Sequence, residues 1–130
     1  MLFRSCAAAL AVIDVINTEN LVQRAGEIGE LFGARLAALQ EKYPGVIGDI
    51  RAQHGAMVAV ELVKDGDVDQ PDPDLTKELV SLAYERGLVL LSCGTRGNVI
   101  RFLPALTISD ELIHEGLDIL KSCFQESSAG

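Results

Sequence analysis

Apolar residues recur with helical spacing along the first third of the chain. Cys6 to Ile16 is rich in alanine, apolar on nearly all sides and free of glycine and proline, which predicts a helix that another surface must cover. The polar run from Asn17 to Asn20 separates it from a second helix with residues suited to capping. This longer helix ends at Pro44-Gly45. Its single apolar stripe comprises Leu21, Ala25, Ile28, Phe32, Leu36, Leu39 and Tyr43.

The next part of the chain has the composition of strands. Val46 to Gln53 and Ala56 to Leu62 are expected to pair as an antiparallel hairpin around a turn at His54-Gly55, because the second run is rich in β-branched and apolar residues. Asp65 to Asp74 contains five aspartates, two prolines and a glycine, a composition typical of a surface loop.

A helix, two short strands and a final helix are predicted for the rest. Asp72 and Pro73 supply a capping carboxylate and a proline at the first helical position, and Gly87 ends this third helix. Strands are predicted at Leu88 to Ser92 and Asn98 to Leu103. The last helix begins after a cap at Ser109 and has Ile113, Leu117, Leu120 and Phe124 in register. This order predicts an α+β domain: a small mixed or antiparallel sheet with helices on one face.

Charge and length exclude several classes of protein. A chain of 130 residues is the length of one domain. The net charge is -8, and the 11 basic residues are scattered among 19 acidic ones, so we expect no nucleic acid and no anionic membrane as a partner. The apolar run near the amino end is interrupted by Asp14 and is far shorter than the roughly 20 residues that span a membrane.

The cysteines and histidines indicate neither disulfides nor a metal site. Cys6, Cys93 and Cys123 have no CxxC spacing, which favours reduced thiols in a cytoplasmic protein, and Cys93 is expected to be a small buried apolar residue. His54 and His114 lie far apart without ligands at fixed offsets, so no metal is expected.

Several short segments between about Ser5 and Phe124 together form a recognisable pattern, which is defined by their order and spacing along the chain. They are Cys6–Val12, Ile47–Arg51, Gly55–Leu62, Asp65–Pro71, Arg86–Leu88, Leu90–Gly94, Asn98–Arg101 and Leu106–Ile108. Taken together they resemble the C-terminal region of class III, pyridoxal-phosphate-dependent aminotransferases of the 4-aminobutyrate type. The resemblance implies the C-terminal small domain of a fold-type-I enzyme.

The chain departs from this family's pattern at three places. Arg51 to Gly55 is one residue longer and poorer in glycine than the usual Arg-Gly-x-Gly, and Ala105 stands where proline is common. Residues 1–4 do not match the Gly-Asn-Pro run expected there, so we interpret them as a non-native junction. Residues 5–126 are then the small domain, and residues 127–130 are expected to be a frayed tail.

The resemblance also implies what the intact enzyme does. It would transfer an amino group from 4-aminobutyrate, or a related ω-amino acid, to 2-oxoglutarate, giving succinate semialdehyde and glutamate, as a homodimer or dimer of dimers. The lysine that holds the cofactor belongs to a large domain, and none of the chain's own lysines lies in its motif: Lys42, Lys64, Lys77 and Lys121. We therefore expect no catalytic residue, no bound cofactor and no activity in this chain alone.

Two alternatives stay open at this point. One is another class III aminotransferase, acting on ornithine, acetylornithine or a different ω-amino acid. The other is a stand-alone α+β module that binds a small ligand, and this module would have to cover its own apolar first helix.

Arg101 is the residue that the resemblance assigns to the substrate carboxylate. A guanidinium suits this role because its planar fork of N–H donors matches a carboxylate and keeps its charge. We expect it to sit among Ile100, Phe102 and Pro104, where an unpaired charge is unfavourable. The alternative is an ordinary ion pair on the solvent face of an edge strand.

Arg51 and Arg96 are further candidates for the rim of the site. Arg51 is better explained as an anchor of the neighbouring turn. Arg96 lies in a glycine-flanked loop, where arginines are mostly solvated.

Overall fold

The structure, a computed structural model, describes residues 2–127. Its elements are α1 (Leu2–Thr18), α2 (Leu21–Lys42), β1 (Ile47–Arg51), β2 (Val58–Lys64), β3 (Asp67–Pro71), α3 (Pro73–Glu85), β4 (Leu91–Cys93), β5 (Val99–Phe102) and α4 (Asp110–Glu126). The strands form one sheet in the order β1-β2-β5-β4, with β3 added to β2. Every pairing is antiparallel, as the α+β prediction allowed.

Three helices cover one face of this sheet. Val58, Val60, Ile100 and Phe102 are buried at alternate positions of β2 and β5 and face the core, whereas Ala59, Glu61 and Arg101 between them are more exposed. Helices α2 and α3 pack on the strands, and α4 packs on both of these helices. The predicted stripes of α2 and α4 supply most of the helical side of the core: Ile28, Phe32, Leu36, Leu39, Tyr43, Ile113, Leu117, Leu120 and Phe124.

The starts of α3 and α4 are capped as the sequence predicts. The Asp72 side chain accepts a hydrogen bond from the Leu75 N–H at 3.1 Å, and Pro73 takes the first helical position. The Ser109 hydroxyl oxygen accepts from the Leu112 N–H at 3.4 Å. The capping predicted at Asn17–Asn20 is wrong, because Asn20 has a left-handed backbone with φ 52° and its side chain makes no capping bond.

Helix α1 is the least covered element of the fold. It begins at Leu2, before the predicted start at Cys6, and packs against α2. Every residue from Cys6 to Val15 is exposed, and Ile16 is half-buried. Among residues 2–127, no single helix is long and apolar enough to cross a membrane, although α1 from Phe3 and α2 satisfy length and composition as a pair bent by 62°.

The acidic segment predicted to be a loop contains a strand that the sequence pattern missed. Lys64 pairs with Asp67 across a two-residue turn, and both turn residues, Asp65 and Gly66, have positive φ, at 53° and 75°. The first four residues of β3 are exposed, so this strand has no apolar face. It is held in the sheet by its backbone pairing with β2. The Asp-Gly dipeptide was the available signal, since it favours this tight hairpin turn.

Strand boundaries and the tail also differ from the prediction. β4 is confined to Leu91–Cys93 rather than Leu88–Ser92, because only these residues pair with β5. Ser127 is not frayed: it is buried, and its hydroxyl donates to the Phe124 carbonyl at 3.2 Å. Residues 128–130 and Met1 lie outside the described residues, and the origin of residues 1–4 stays a prediction.

The unusual turn after β1 is seated on small residues of α2. A Cβ placed on Gly29 would lie 2.5 Å from the Gly55 carbonyl oxygen and 3.2 Å from the Ala52 carbonyl oxygen. Gly33, one turn further along, leaves 3.3 Å to the Ala52 Cβ. The turn therefore approaches the helix backbone too closely for any side chain at Gly29.

We expect Gly29→Ala to lower the free energy of unfolding by about 1–3 kcal/mol, because the added methyl group must displace backbone atoms of the turn. Gly26→Ala is the matched control on the same helix, since a Cβ there meets nothing within 4 Å. It should stabilise the chain by about 1 kcal/mol through helix propensity. Urea unfolding monitored by circular dichroism measures both, and equal stability of the two variants would contradict the close contact.

Candidate functional site

The face of the sheet away from the helices carries the candidate residues. Arg51 of β1 pairs with Ala59 of β2, Ala59 pairs with Arg101 of β5, and Arg101 pairs with Leu91 of β4. Directly paired residues project to the same side of a sheet. These four residues therefore form one row on the uncovered side, which we call the open face.

A second row on the open face is centred on Glu61. Glu61 pairs with Asp49 of β1 and with Val99 of β5, and Val99 pairs with Cys93 of β4. The Glu61 side chain is only 18% exposed, whereas those of Arg51 and Asp49 are about half exposed, at 48% and 51%. It is thus the most enclosed of these three charged groups.

Glu61 joins two of the candidate arginines. The Arg51 Nη1 donates to Glu61 Oε2 at 3.1 Å and to Asp49 Oδ2 at 2.8 Å. The Arg96 Nη2 lies 3.8 Å from the other carboxylate oxygen, Glu61 Oε1. Partial burial disfavours the charged form of Glu61, but the hydrogen bonds from Arg51 and Asn98 and the charges of both arginines outweigh it, so the pKa of Glu61 lies below its usual value.

Asn98 connects this network to the backbone of the sheet. Its side chain is buried, and Nδ2 donates to the Leu62 carbonyl at 2.8 Å and to Glu61 Oε1 at 3.4 Å. The Leu62 N–H in turn donates to the Asn98 carbonyl at 2.8 Å. Asn98 therefore fixes the end of the loop that carries Arg96.

Arg101 differs from the other two arginines because no partner holds it. Its side chain is exposed on the open face and makes no hydrogen bond or ion pair with any residue in the described range 2–127. The expectation of a poorly solvated charge among Ile100 and Phe102 is wrong, since strand alternation sends those two side chains to the core. The alternative is correct in placing Arg101 on a solvent-exposed face, but β5 is an interior strand between β2 and β4 and Arg101 has no ion pair among residues 2–127.

A mostly apolar cavity of about 260 Å³ adjoins Arg101 at the end of β5. Of the described residues that line it, Arg101 is the one with a charge. The apolar lining comes from the segment before β4, from the end of β5 and from α2 and α4: Phe32, Leu88, Val89, Leu90, Leu91, Phe102, Leu103, Pro104, Ile108, Leu112, Ile113 and Leu117. A cation beside such a surface suits a ligand with an acid group and an apolar chain.

The three arginines singled out from the sequence thus lie on one face, but the groups that organise them were missed. Glu61 was read only as part of an apolar strand, and Asn98 only as part of a motif. A carboxylate in the run Val58–Val63 was the available signal, because a charge flanked by buried residues needs a partner.

The remaining reactive side chains do not join this network. Cys93 is half-buried on the open face rather than buried as expected, because its strand lies at the sheet edge. His54 is exposed in the turn, and His114 accepts from Arg35 Nη1 at 3.0 Å on the helical side. Within residues 2–127, no three His, Cys, Asp or Glu side chains are grouped so as to hold a metal ion.

The four lysines are dispersed and exposed, and none belongs to the two rows of the open face. They lie at the end of α2, the end of β2, on α3 and on α4: Lys42, Lys64, Lys77 and Lys121. The described residues therefore do not fit a site for pyridoxal phosphate, which needs an enclosed lysine.

Sequence comparison finds close relatives along nearly the whole chain. The sequence model of the family described as Aminotransferase class-III matches residues 4–124. The chain is 48% identical over 123 residues to 4-aminobutyrate aminotransferase GabT of Escherichia coli (strain K12), covering 95% of this chain and 28% of that protein. It is 53% identical over 116 residues to 4-aminobutyrate aminotransferase of Mycobacterium leprae (strain TN), covering 89% of this chain and 25% of that protein.

A relative with a different named substrate matches at the same identity as the Escherichia coli enzyme. The chain is 48% identical over 122 residues to 5-aminovalerate aminotransferase DavT of Pseudomonas aeruginosa, covering 94% of this chain and 28% of that protein. Among solved structures, a Bacillus anthracis aminotransferase superposes with a TM-score of 0.79 at 31% identity, covering 93% of this chain and 28% of that one. The chain spans about a quarter of the length of these relatives.

The pKa of Glu61 predicts an acid-dependent loss of stability. Because the folded-state pKa is depressed, the stabilisation is complete above the ordinary glutamate pKa of about 4.3 and is lost as the pH falls through the lower folded value. We expect Glu61→Gln to be less stable than the native chain at pH 7, and the difference to shrink below about pH 4.3. Urea midpoints measured from pH 7 to pH 3 test this, and a difference that stays constant over the range would contradict it.

Proposed function

Because the chain belongs to the class III aminotransferase family, whose cofactor is pyridoxal phosphate, we propose that it is the C-terminal small domain of an enzyme that moves an amino group from 4-aminobutyrate to 2-oxoglutarate, giving succinate semialdehyde and glutamate. The chain spans 25% and 28% of the two 4-aminobutyrate aminotransferases described above. The activity belongs to the whole enzyme, and this chain's part in it is to bind substrate.

The observation that supports this role is the guanidinium of Arg101, which has no partner among residues 2–127. An arginine that has no carboxylate of its own is available for one that arrives with a ligand. Both 2-oxoglutarate and glutamate carry two carboxylates, and a guanidinium binds such a group with two parallel hydrogen bonds. Arg101 is the candidate for this contact.

The surroundings of Arg101 suit orientation of the ligand as well as attraction. Its strand is paired on both sides, so the backbone beneath the guanidinium is fixed. Ala59 and Leu91, its direct neighbours on the open face, offer no competing acceptor side chain. When a second domain closes over this face, the apolar neighbours would exclude water and strengthen the ion pair.

The chemistry of amino transfer is supplied by pyridoxal phosphate bound elsewhere in the enzyme. The dispersed lysines of this chain support that division, because none is enclosed or lies beside Arg101. We therefore assign no catalytic residue to the chain, and we place Arg51 and Arg96 at the rim of the site.

The exposed apolar helix α1 favours a domain over a self-contained module. Phe3 is 90% exposed, and Leu10, Val12 and Ile13 are each more than half exposed, at 63%, 57% and 52%. A stand-alone ligand-binding module would cover such a surface, whereas the large domain of the same enzyme would bury it. We propose a homodimer or dimer of dimers for the intact enzyme, and a cytoplasmic location, which the three free cysteines support.

A different ω-amino acid is the second candidate for the amino donor. The chain is 48% identical both to GabT of Escherichia coli and to the 5-aminovalerate enzyme of Pseudomonas aeruginosa, so identity to these two relatives does not separate the two substrates. Ornithine and acetylornithine belong to the same set of alternatives. Arg101 binds the acceptor 2-oxoglutarate in each case.

A chimera in which residues 5–124 replace the corresponding segment of the Escherichia coli enzyme tests the role of Arg101. We expect Arg101→Ala and Arg101→Lys to raise the KM for 2-oxoglutarate by about 10-fold to 100-fold, because a charged hydrogen bond contributes about 1.5–3 kcal/mol. Bound pyridoxal phosphate, measured by absorbance, should be unchanged.

Arg35→Ala is the matched control for that experiment. Arg35 pairs with Asp118 and contacts His114 on the helical side, so its removal deletes one arginine without touching the open face. Its KM for 2-oxoglutarate should equal that of the unmodified chimera. An equal KM for Arg101→Ala would refute the carboxylate-binding role.

The isolated chain should not capture pyridoxal phosphate at any one lysine. After incubation with cofactor, borohydride reduction and mass spectrometry, we expect only the low, non-saturating labelling that the urea-unfolded chain also shows. The intact Escherichia coli enzyme is the positive control. Saturable labelling of a single lysine in the folded chain would overturn the assignment.

A further inference from the structure

We propose that Glu61 is a positioning residue that withdraws Arg51 and Arg96 from carboxylate binding and so confines it on the open face to Arg101. The inference rests on the proposed function, because it concerns which of three neighbouring guanidinium groups receives the substrate. It adds a role for a residue that contacts no substrate itself.

The first step is that the open face brings three cations close together. Arg51 and Arg101 flank the same residue, Ala59, on successive strands. Adjacent strands are about 4.8 Å apart, so the two arginines start about 10 Å from each other. Arg96 approaches from the loop between β4 and β5. Without further control, a dicarboxylate would find several places to bind.

The second step is that both oxygens of the Glu61 carboxylate face donors. Oε2 accepts from Arg51 at 3.1 Å, while Oε1 receives Asn98 at 3.4 Å and faces Arg96 Nη2 at 3.8 Å. Its side chain is the most enclosed of the charged groups in this network at 18% exposed, so its ion pairs are less screened by water than those of an exposed carboxylate.

The third step is that Glu61 does not pair with Arg101, although the two residues are close. Arg101 is opposite Ala59, two residues from Glu61 along β2, so the two side chains are diagonal neighbours. Such neighbours are about 7–8 Å apart, within reach of long side chains. Glu61 instead turns to Arg51 and Arg96, held by Asn98, which is itself tied to the Leu62 carbonyl at 2.8 Å.

Asp49 provides a matched control, because it is a second carboxylate of the same network with a narrower role. It pairs with Arg51 at 2.8 Å, and we expect Glu61, at 3.1 Å, to keep Arg51 when Asp49 is neutralised. Asp49→Asn and Glu61→Gln remove the same charge from the same face. Both variants therefore raise the net positive charge of the face by one unit, whereas release of both Arg51 and Arg96 requires loss of Glu61.

The test uses the 130-residue chain labelled with ¹⁵N-arginine, with 2-oxoglutarate as the probe and the Nε–Hε signals as the readout. In the native chain and in Asp49→Asn, we expect a saturable shift of Arg101 and shifts of Arg51 and Arg96 below one-tenth of it. In Glu61→Gln, Arg51 and Arg96 should shift as strongly as Arg101. Arg101→Ala should lose the response, and Glu61→Gln combined with Arg101→Ala should regain it.

The outcomes separate this inference from the proposed function. If Arg51 and Arg96 stay silent in Glu61→Gln, or respond in Asp49→Asn or in Arg101→Ala with Glu61 intact, the positioning role is overturned. If Arg101 is silent in the native chain while Glu61→Gln releases the other two, the role of Glu61 is supported and that of Arg101 fails.

Backbone amide spectra establish that each variant is folded. Should Glu61→Gln not fold, Glu61→Asp decides, because its carboxylate is one methylene shorter and loses Arg96, the more distant partner, first. A response of Arg96 to 2-oxoglutarate then supports the inference, and its silence overturns it.

Discussion

A sheet has two faces, and this chain has helices for only one of them. The apolar stripes of α2, α3 and α4 bury the side chains of one set of alternating strand positions. The other set is left without a helical cover, and there the charged residues collect. Because period-2 alternation assigns each strand residue to one face, the same pattern that builds the core also determines which arginines share the open face.

Much of this arrangement could be predicted from the sequence, because it depends on local patterns. Neighbouring residues determine the helical stripes, the start of α3 at Asp72-Pro73 and the cap at Ser109. The structure contains all three features. The resemblance to class III aminotransferases was also confirmed, because it rested on segments spread over nearly the whole chain. The role of Arg101 remains a prediction, and the poorly solvated surroundings expected for it were wrong.

What sequence reasoning missed depends on contacts between distant positions. The pairing of Glu61 with Arg96 joins residues 35 apart in sequence, and it needs the register of β2 against β5. β3 was missed because it has no apolar face. The conformation of Asn20 was missed because this residue precedes α2 with a left-handed backbone and makes no side-chain cap. The sequence showed that the turn after β1 is unusual. Its close contact with Gly29 could not be predicted, because that depends on where α2 packs.

The position of β5 inside the sheet affects how the strand that carries Arg101 unfolds. The strand that carries Arg101, β5, is paired with β2 on one side and with β4 on the other. The residues before and after Arg101, Ile100 and Phe102, belong to the main core. We expect the amide hydrogens of β5 to be among the slowest to exchange, because strands at the core open with free energies close to that of global unfolding. The backbone that carries Arg101 should therefore keep its place until the domain unfolds cooperatively.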